Sequence, residues 1–381
     1  MHVNVDRITR AQRLMAERGL VGLMILTHDD FRYFFGELRA QPRAIIPVSG
    51  PPLLISFAAE EPELRDSLAD SAAIAVFSDV SQQMSAVRDA FNMLATADLP
   101  PSFAASPDGR HRVGMQFFFH TPAFLVDLFR KLNPQFEIVS SDPVMDTLRM
   151  VKEPAEVELM RQAQMVAARG MDRARELLRP GVSGHEIATE ALYTMMKAGA
   201  EGTSTPIHVN TGRRSCWIHG TADSRPIESG DLVVVNLTPQ VEGYCANLAR
   251  TYVVGHPAEW QHHLYSTYLR MHQATRDALR PEITVMELDS IGKTICRAAG
   301  LGDHHIDGIC HGIGLRFEET PASTIVKAHR RVKLRPGMTV TVGHTTLALP
   351  GLGGVRLEDV FHVTSAGAEP LFRYPLEPFS V

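Results

Sequence analysis

Two apolar runs, Leu232–Thr238 (LVVVNLT) and Tyr244–Val254 (YCANLARTYVV), flank the segment Pro239–Gly243 and constrain this chain more than any other stretch. Their β-branched content and the Pro/Gly punctuation between them read as a β-hairpin. Each run carries one amide in an otherwise apolar setting, Asn236 in the first and Asn247 eleven positions later. A buried amide without partners is costly. The two therefore either satisfy each other or the backbone, or they line a pocket that supplies what they lack.

Ahead of the hairpin the sequence spells two helices. Pro154 begins the first, with Glu156 and Glu158 in its opening turn, and the pattern runs from about Ala155 to Leu178 before Pro180–Gly181 stops it. The second, Ser183–Ala198, opens with Ser183 and Glu186 at capping-box spacing. Helices followed by hairpins indicate α+β architecture. The first 140 or so residues differ. Helical periodicity over Val5–Arg18, Val87–Ala95 and Pro122–Leu132 alternates with short apolar strands at Val21–Leu26, Arg43–Val48 and Pro52–Phe57, the pattern of a smaller α/β domain. The 381 residues are too many for one core. The segment 142–156 supplies a seam, so we expect domains at 1–147 and 148–381.

Composition excludes several classes. Lys plus Arg is 38 and Asp plus Glu 43, a net charge of −5 with no dense basic stripe, so no nucleic-acid partner is expected. No apolar run is long enough to span a membrane, and the N-terminus lacks a signal core, so a cytoplasmic protein is expected. Cys216, Cys245, Cys296 and Cys310 form no CxxC pair, which leaves reduced, buried thiols as the reading. No GxGxxG or GxxxxGK[ST] loop is present.

Beyond the hairpin come Cys310–Pro321 (CHGIGLRFEETP), Leu334–Val342 (LRPGMTVTV) and Gly354–Asp359 (GVRLED). Together with KEPAEVELM, GDLVVVN and GYCANLARTY, in this order, they resemble the creatinase/aminopeptidase P/prolidase/methionine aminopeptidase superfamily. The likeness covers roughly residues 145–370. It implies a C-terminal pita-bread domain after a smaller creatinase-like N-terminal domain, and a homodimer.

The metallopeptidases of that superfamily hold two cations with five ligands: two Asp on the hairpin, one His and two Glu on the last strands. Mapped residue by residue, the two Asp positions carry Asn236 and Asn247, the His is kept as His311, the first Glu position is Gly343 followed by His344, and the last Glu is kept as Glu358. Glu318 replaces the His of the HExP segment, while Glu319 and Pro321 remain. Two divalent cations a few ångströms apart need bridging carboxylates to offset their repulsion. With three carboxylates gone, a dinuclear site is not expected. A mononuclear one, from His311, Glu358 and either His344 or Glu318, is the reduced alternative.

Creatinase and ectoine hydrolase are members of the superfamily that cut C–N bonds without metal, and the sequence resembles that branch. His219 lies twelve residues before Asp231, as a histidine does in creatinase-type members. The resemblance implies a metal-independent hydrolase with no cofactor, acting on a small polar metabolite, with His219 as general acid/base and Glu358 orienting water or an imidazolium. Substrate would be bound by His311, Asn236, Asn247, His344, Glu318, Glu319, Trp217 and Arg213. His208 and Arg214 lie on the same substrate-bordering segment. The Glu pair with which creatinase reads its guanidinium is replaced by Ala249 and Gly343, so creatine is not the expected substrate. The competing readings are an Xaa-Pro dipeptidase-like metallohydrolase with an altered metal site, and a pita-bread pseudoenzyme that binds without chemistry.

Overall fold

The computed structural model describes residues 1–39, 41–95, 109–117, 121–377 and 379–381. It divides into two compact units, Met1–Leu148 and Arg149–Val381. The first unit is built on a six-stranded mixed sheet, in the order 73–77, 53–57, 44–47, 20–25, 111–115, 136–140. The three strands read from the sequence are its centre: Leu20–Ile25 pairs antiparallel with Ala44–Pro47, which pairs antiparallel with Leu53–Phe57. Helices Val5–Glu17, Gln83–Ala95 and Ala123–Leu132 stand where periodicity placed them. Asn4 caps the first by accepting from Arg7 N at 3.0 Å. Helix His28–Phe35 was not legible, because its aromatic run (HDDFRYFF) is buried nearly all round and shows no polar face.

In the second unit the long helix is Pro154–Leu177, with Glu156 Oε2 accepting from Glu153 N at 2.8 Å across its start. Helix Gly184–Lys197 carries the expected capping box: Ser183 N donates to Glu186 Oε2 at 2.8 Å and Glu186 N to Ser183 Oγ at 3.2 Å. These helices cover one face of a three-stranded antiparallel sheet, 208–211, 232–237, 248–253, with 232–237 in the middle. A second three-stranded sheet joins Thr339–Val342, Asp359–Thr364 and Gly367–Pro370, packed with helices Glu259–Ala278 and Val285–Ala298 in a separate apolar core. Among the contacts between the two halves is a backbone bridge in which Ala249 N donates to Glu358 O and Glu358 N to Ala249 O, both at 3.0 Å. This is an α+β pita-bread arrangement after an α/β domain, as expected from the sequence.

The hairpin differs from its expected form in one respect. The chain turns at Glu242–Gly243, both with positive φ (45° and 77°), inside a short excursion in which 239–241 pairs with 244–245. Residues 246–247 then leave the ladder before it resumes with Leu248 opposite Leu237. The expected continuous strand 244–254 is thus broken at Asn247, which frees its side chain to turn toward Asn236.

A second irregularity decides which residue reaches the centre of the unit. Thr339–Val342 runs antiparallel to 359–364 with Val342 opposite Asp359, so strict alternation would put residue 343 opposite Glu358 and on its face. Instead Gly343 adopts φ +103°, and a Cβ built there would lie 1.7 Å from Leu357 O. Only glycine fits that conformation beside that carbonyl. The turn it makes directs His344 inward. Tyr268 Oη reaches Gly343 O at 2.6 Å and Thr345 O at 2.5 Å, clamping both sides of the turn. Gly343→Ala is therefore expected to destabilise the protein by about 2–4 kcal/mol, from backbone strain plus overpacking, read as a lower denaturation midpoint in urea.

Candidate active site

One cross-strand row organises the site. His208 pairs with Asn236, Asn236 with Ala249, and Ala249 with Glu358. Side chains opposite one another on antiparallel strands share a face, so His208, Asn236 and Glu358 project to the same side. His311 and His344 close on this face from the second half. His311 Nε2 lies 3.1 Å from His344 Nδ1 and 3.6 Å from Glu358 Oε1, and His344 Nδ1 lies 3.4 Å from the same oxygen. All three side chains are buried, His311 and Glu358 completely.

Each of the three is oriented from behind. His311 Nδ1 donates to Gly312 O at 2.8 Å, which leaves the Nε2 lone pair facing inward. Gly312 permits this crossing because a Cβ there would stand 2.6 Å from Thr320 O. His344 Nε2 lies 3.4 Å from Glu318 Oε1, and Glu318 Oε2 accepts from Thr324 Oγ1 at 2.6 Å. Arg356 Nε donates to Glu358 Oε2 at 3.0 Å, leaving Oε1 to the imidazoles. The ion pair that competed with a pocket role for Glu358 thus coexists with it, one oxygen for each. Burial opposes ionisation of Glu358, but Arg356 and the two histidines outweigh it and hold its pKa well below the usual carboxylate range. The histidines diverge. Burial disfavours charge on both, yet Glu318 and Glu358 raise the pKa of His311, whereas burial and the neighbouring His311 lower that of His344.

The amides meet as the hairpin suggested. Asn236 Nδ2 donates to Asn247 Oδ1 at 2.7 Å and to Leu248 O at 3.3 Å, and Gln164 Nε2 donates to Asn247 O at 3.2 Å. Asn236 Oδ1 and Asn247 Nδ2 remain buried with no hydrogen-bond partner among the described residues.

Other expected site residues stand elsewhere. Glu319 is not a substrate group: its carboxylate is buried against Arg149 and, at 2.9 Å, Lys152 Nζ, and it accepts from Arg316 N at 3.1 Å. It anchors the loop that carries Glu318. Arg213, Trp217 and His219 are exposed on the segment after strand 208–211, and the Arg214 guanidinium lies 4.3 Å from the Trp217 ring centre. None of the three touches the buried cluster, although His219 is near enough to help lower the pKa of His208. That shift, to about 4, arises mainly from burial, with Arg356 next, so His208 is neutral at pH 7. His208 and Arg356 are the site residues that sequence reasoning underweighted. The signal for His208 was its register opposite Asn236.

Residues 158–365 match the metallopeptidase family M24 and residues 7–151 the creatinase/prolidase N-terminal domain. The chain belongs to metallopeptidase family M24. It is 33% identical over 247 residues to the Xaa-Pro dipeptidase of Pyrococcus furiosus, covering 65% of this chain and 70% of that protein. It is 30% identical to a putative dipeptidase of Bacillus subtilis over 63% of this chain and 65% of that one. Among solved structures, the Pyrococcus furiosus prolidase superposes with a TM-score of 0.80 at 26% identity over 96% of this chain and 99% of that one. Dipeptidase PepE of Mycobacterium ulcerans gives 0.83 at 26% identity over 100% and 98%. These relatives overturn the metal-independent, creatinase-like expectation: the similarity runs to dipeptidases of a metallopeptidase family. No described helix is long and apolar enough to cross a membrane.

The two-cation arrangement does not fit this chain. Its hairpin carboxylates are amides bonded to each other, and the backbone at Gly343 admits no side chain. A single cation does fit. Zinc–nitrogen bonds of about 2.0–2.1 Å put tetrahedral ligand atoms about 3.3 Å apart. The inward-facing atoms of His311, His344 and Glu358 are separated by 3.1, 3.4 and 3.6 Å.

The buried Glu319 group yields a pH-dependent prediction. Burial alone would raise its pKa, but Arg149 and Lys152 bring it from 4.5 down to about 2. A carboxylate depressed on folding stabilises the protein fully above the unfolded value, and that contribution is lost as pH falls from about 4.5 toward about 2. Glu319→Gln should cost about 3–5 kcal/mol at pH 7, by leaving two buried cations without their counter-charge, and much less at pH 3, as measured by denaturant unfolding at both values.

Proposed function

We propose that this protein is a peptidase of the Xaa-Pro dipeptidase type that works with one divalent cation, held by His311, His344 and Glu358. The observation that carries the reading is the convergence of three buried, pre-oriented lone pairs at coordination spacing in a chain whose relatives are dipeptidases. A cation bound there supplies Lewis-acid polarisation of a peptide carbonyl. The remaining work falls to side chains of this chain. Arg356 keeps Glu358 ionised and fixes which oxygen faces inward. Gly312 O and Glu318 fix the histidine tautomers. His219, exposed on the segment beside His208, is an imidazole placed to position a peptide and to pass a proton to the departing nitrogen.

Metal analysis of the purified protein after equilibration with Zn²⁺, Mn²⁺ or Co²⁺ and exhaustive dialysis should give one cation per chain. His344→Ala should weaken that binding by about a hundredfold or more, since loss of even an outer-shell partner costs 10–100-fold. Hydrolysis of L-alanyl-L-proline should require the cation and vanish on chelation. Two equivalents of metal, none, or binding indifferent to His344→Ala would overturn the reading.

A further inference from the structure

The second half of the site has been made neutral, and its remaining polar atoms specify what it meets. Asn236 and Asn247 are 1% and 0% exposed. Their amide orientations are fixed by the backbone: Leu248 O only accepts, so the Asn236 atom beside it is the nitrogen, and the Asn247 atom facing that nitrogen is the oxygen. What is left over is therefore one acceptor, Asn236 Oδ1, and one donor, Asn247 Nδ2, both buried and without a hydrogen-bond partner among the described residues. Asn236 lies on the face shared with Glu358, two strands from it along the row through Ala249, and Asn247 is tied to it by their mutual hydrogen bond. Ala249 therefore stands between Asn236 and Glu358 along that row.

Three common peptide groups can be compared with this pair. An ammonium offers donors only, so it would leave Asn247 Nδ2 unmet and facing a positive charge. It would also be buried without a counter-ion beside it: Asn236 is flanked in its row by His208, neutral at pH 7, and Ala249, and the next acid in that row, Glu358, divides its two oxygens between Arg356 and the imidazoles. A carboxylate offers acceptors only and leaves Asn236 Oδ1 unmet. A secondary amide offers one donor and one acceptor and satisfies both.

We propose that Asn236 and Asn247 bind a neutral amide at the amino end of the substrate, so that the protein acts on N-acylated dipeptides in preference to dipeptides with a free α-ammonium group. This rests on the peptidase reading above and sharpens its substrate class. The pair is a specificity element; it carries no step of the chemistry.

The test compares L-alanyl-L-proline with N-acetyl-L-alanyl-L-proline on the cation-loaded, full-length protein at pH 7, by kcat/KM and by calorimetric binding. The acetylated peptide should be preferred by about tenfold or more, the scale set by leaving one buried polar group unmet. The preference should collapse in Asn247→Leu, chiefly through KM, and should shift toward the free dipeptide in Asn236→Asp, which supplies the missing counter-charge. Thermal unfolding of both variants checks that they fold, and the parent protein's own ratio stands if either does not. Equal or better use of the free dipeptide by the parent protein overturns the proposal, as would a preference unchanged in both folded variants, which is the result if water alone occupies the pair. If neither peptide is cleaved but the acetylated one binds more tightly and loses that advantage in Asn247→Leu, the amide site stands and the peptidase reading falls. If neither peptide is cleaved or bound, both fall.

Discussion

The site depends on how one buried carboxylate is shared. Glu358 is fully removed from solvent, and a carboxylate so placed would take up a proton unless a cation opposed it. Arg356 does so through Oε2 alone. That division sets everything nearby: because the guanidinium takes one oxygen, the other remains an acceptor aimed at two imidazoles, and these need rear partners to present lone pairs rather than protons. Gly312 O and Glu318 provide them. Three contacts from behind, Arg356 on Glu358, Gly312 O on His311 and Glu318 on His344, thus determine the donor set.

Along the row from Glu358 to His208 the character of the pocket changes from charged to neutral over three strands. The charged end has the softer, nitrogen-rich donor set that suits a single transition-metal ion. The neutral end carries amides where the two-cation members of the family carry aspartates. Losing the two hairpin carboxylates and losing one divalent cation are opposite changes that cancel in net charge, so the neutral end costs little electrostatically. What it sets instead is which uncharged group fits.

Much of this was readable from residue order, and the failures have physical causes. The helices around 154–177 and 184–197 were legible because Pro154, Ser183 and Glu186 are local signals whose effect does not depend on the rest of the fold. The same capping signature at Thr284 and Glu287 opens helix 285–298. Asn236 and Asn247 stood out as polar residues in apolar runs, and their mutual bond was one of the two outcomes such runs allow. Strand alternation, by contrast, could not place His344, because a single positive-φ glycine breaks the period of two. Glu319 and Glu318 are adjacent and chemically identical, yet one holds the loop and the other backs His344. Only the long-range partners Arg149 and Lys152 separate them. The metal-free reading followed from counting lost carboxylates. It set the mononuclear alternative with His344 second, because residue order does not show that the backbone at Gly343 turns that histidine into the gap.

Gly343 also gives the site a direction in time. A lineage that lost a glutamate here while keeping an ordinary strand could regain it by one codon change. Once the backbone had settled into the left-handed turn against Leu357 O, clamped by Tyr268, every side chain at that position became a steric fault before it could become a ligand. Placing a carboxylate at 343 would require the turn and the tyrosine clamp to change together. The turn works as a catch: position 343 carries no ligand, and His344 takes the inward place beside it.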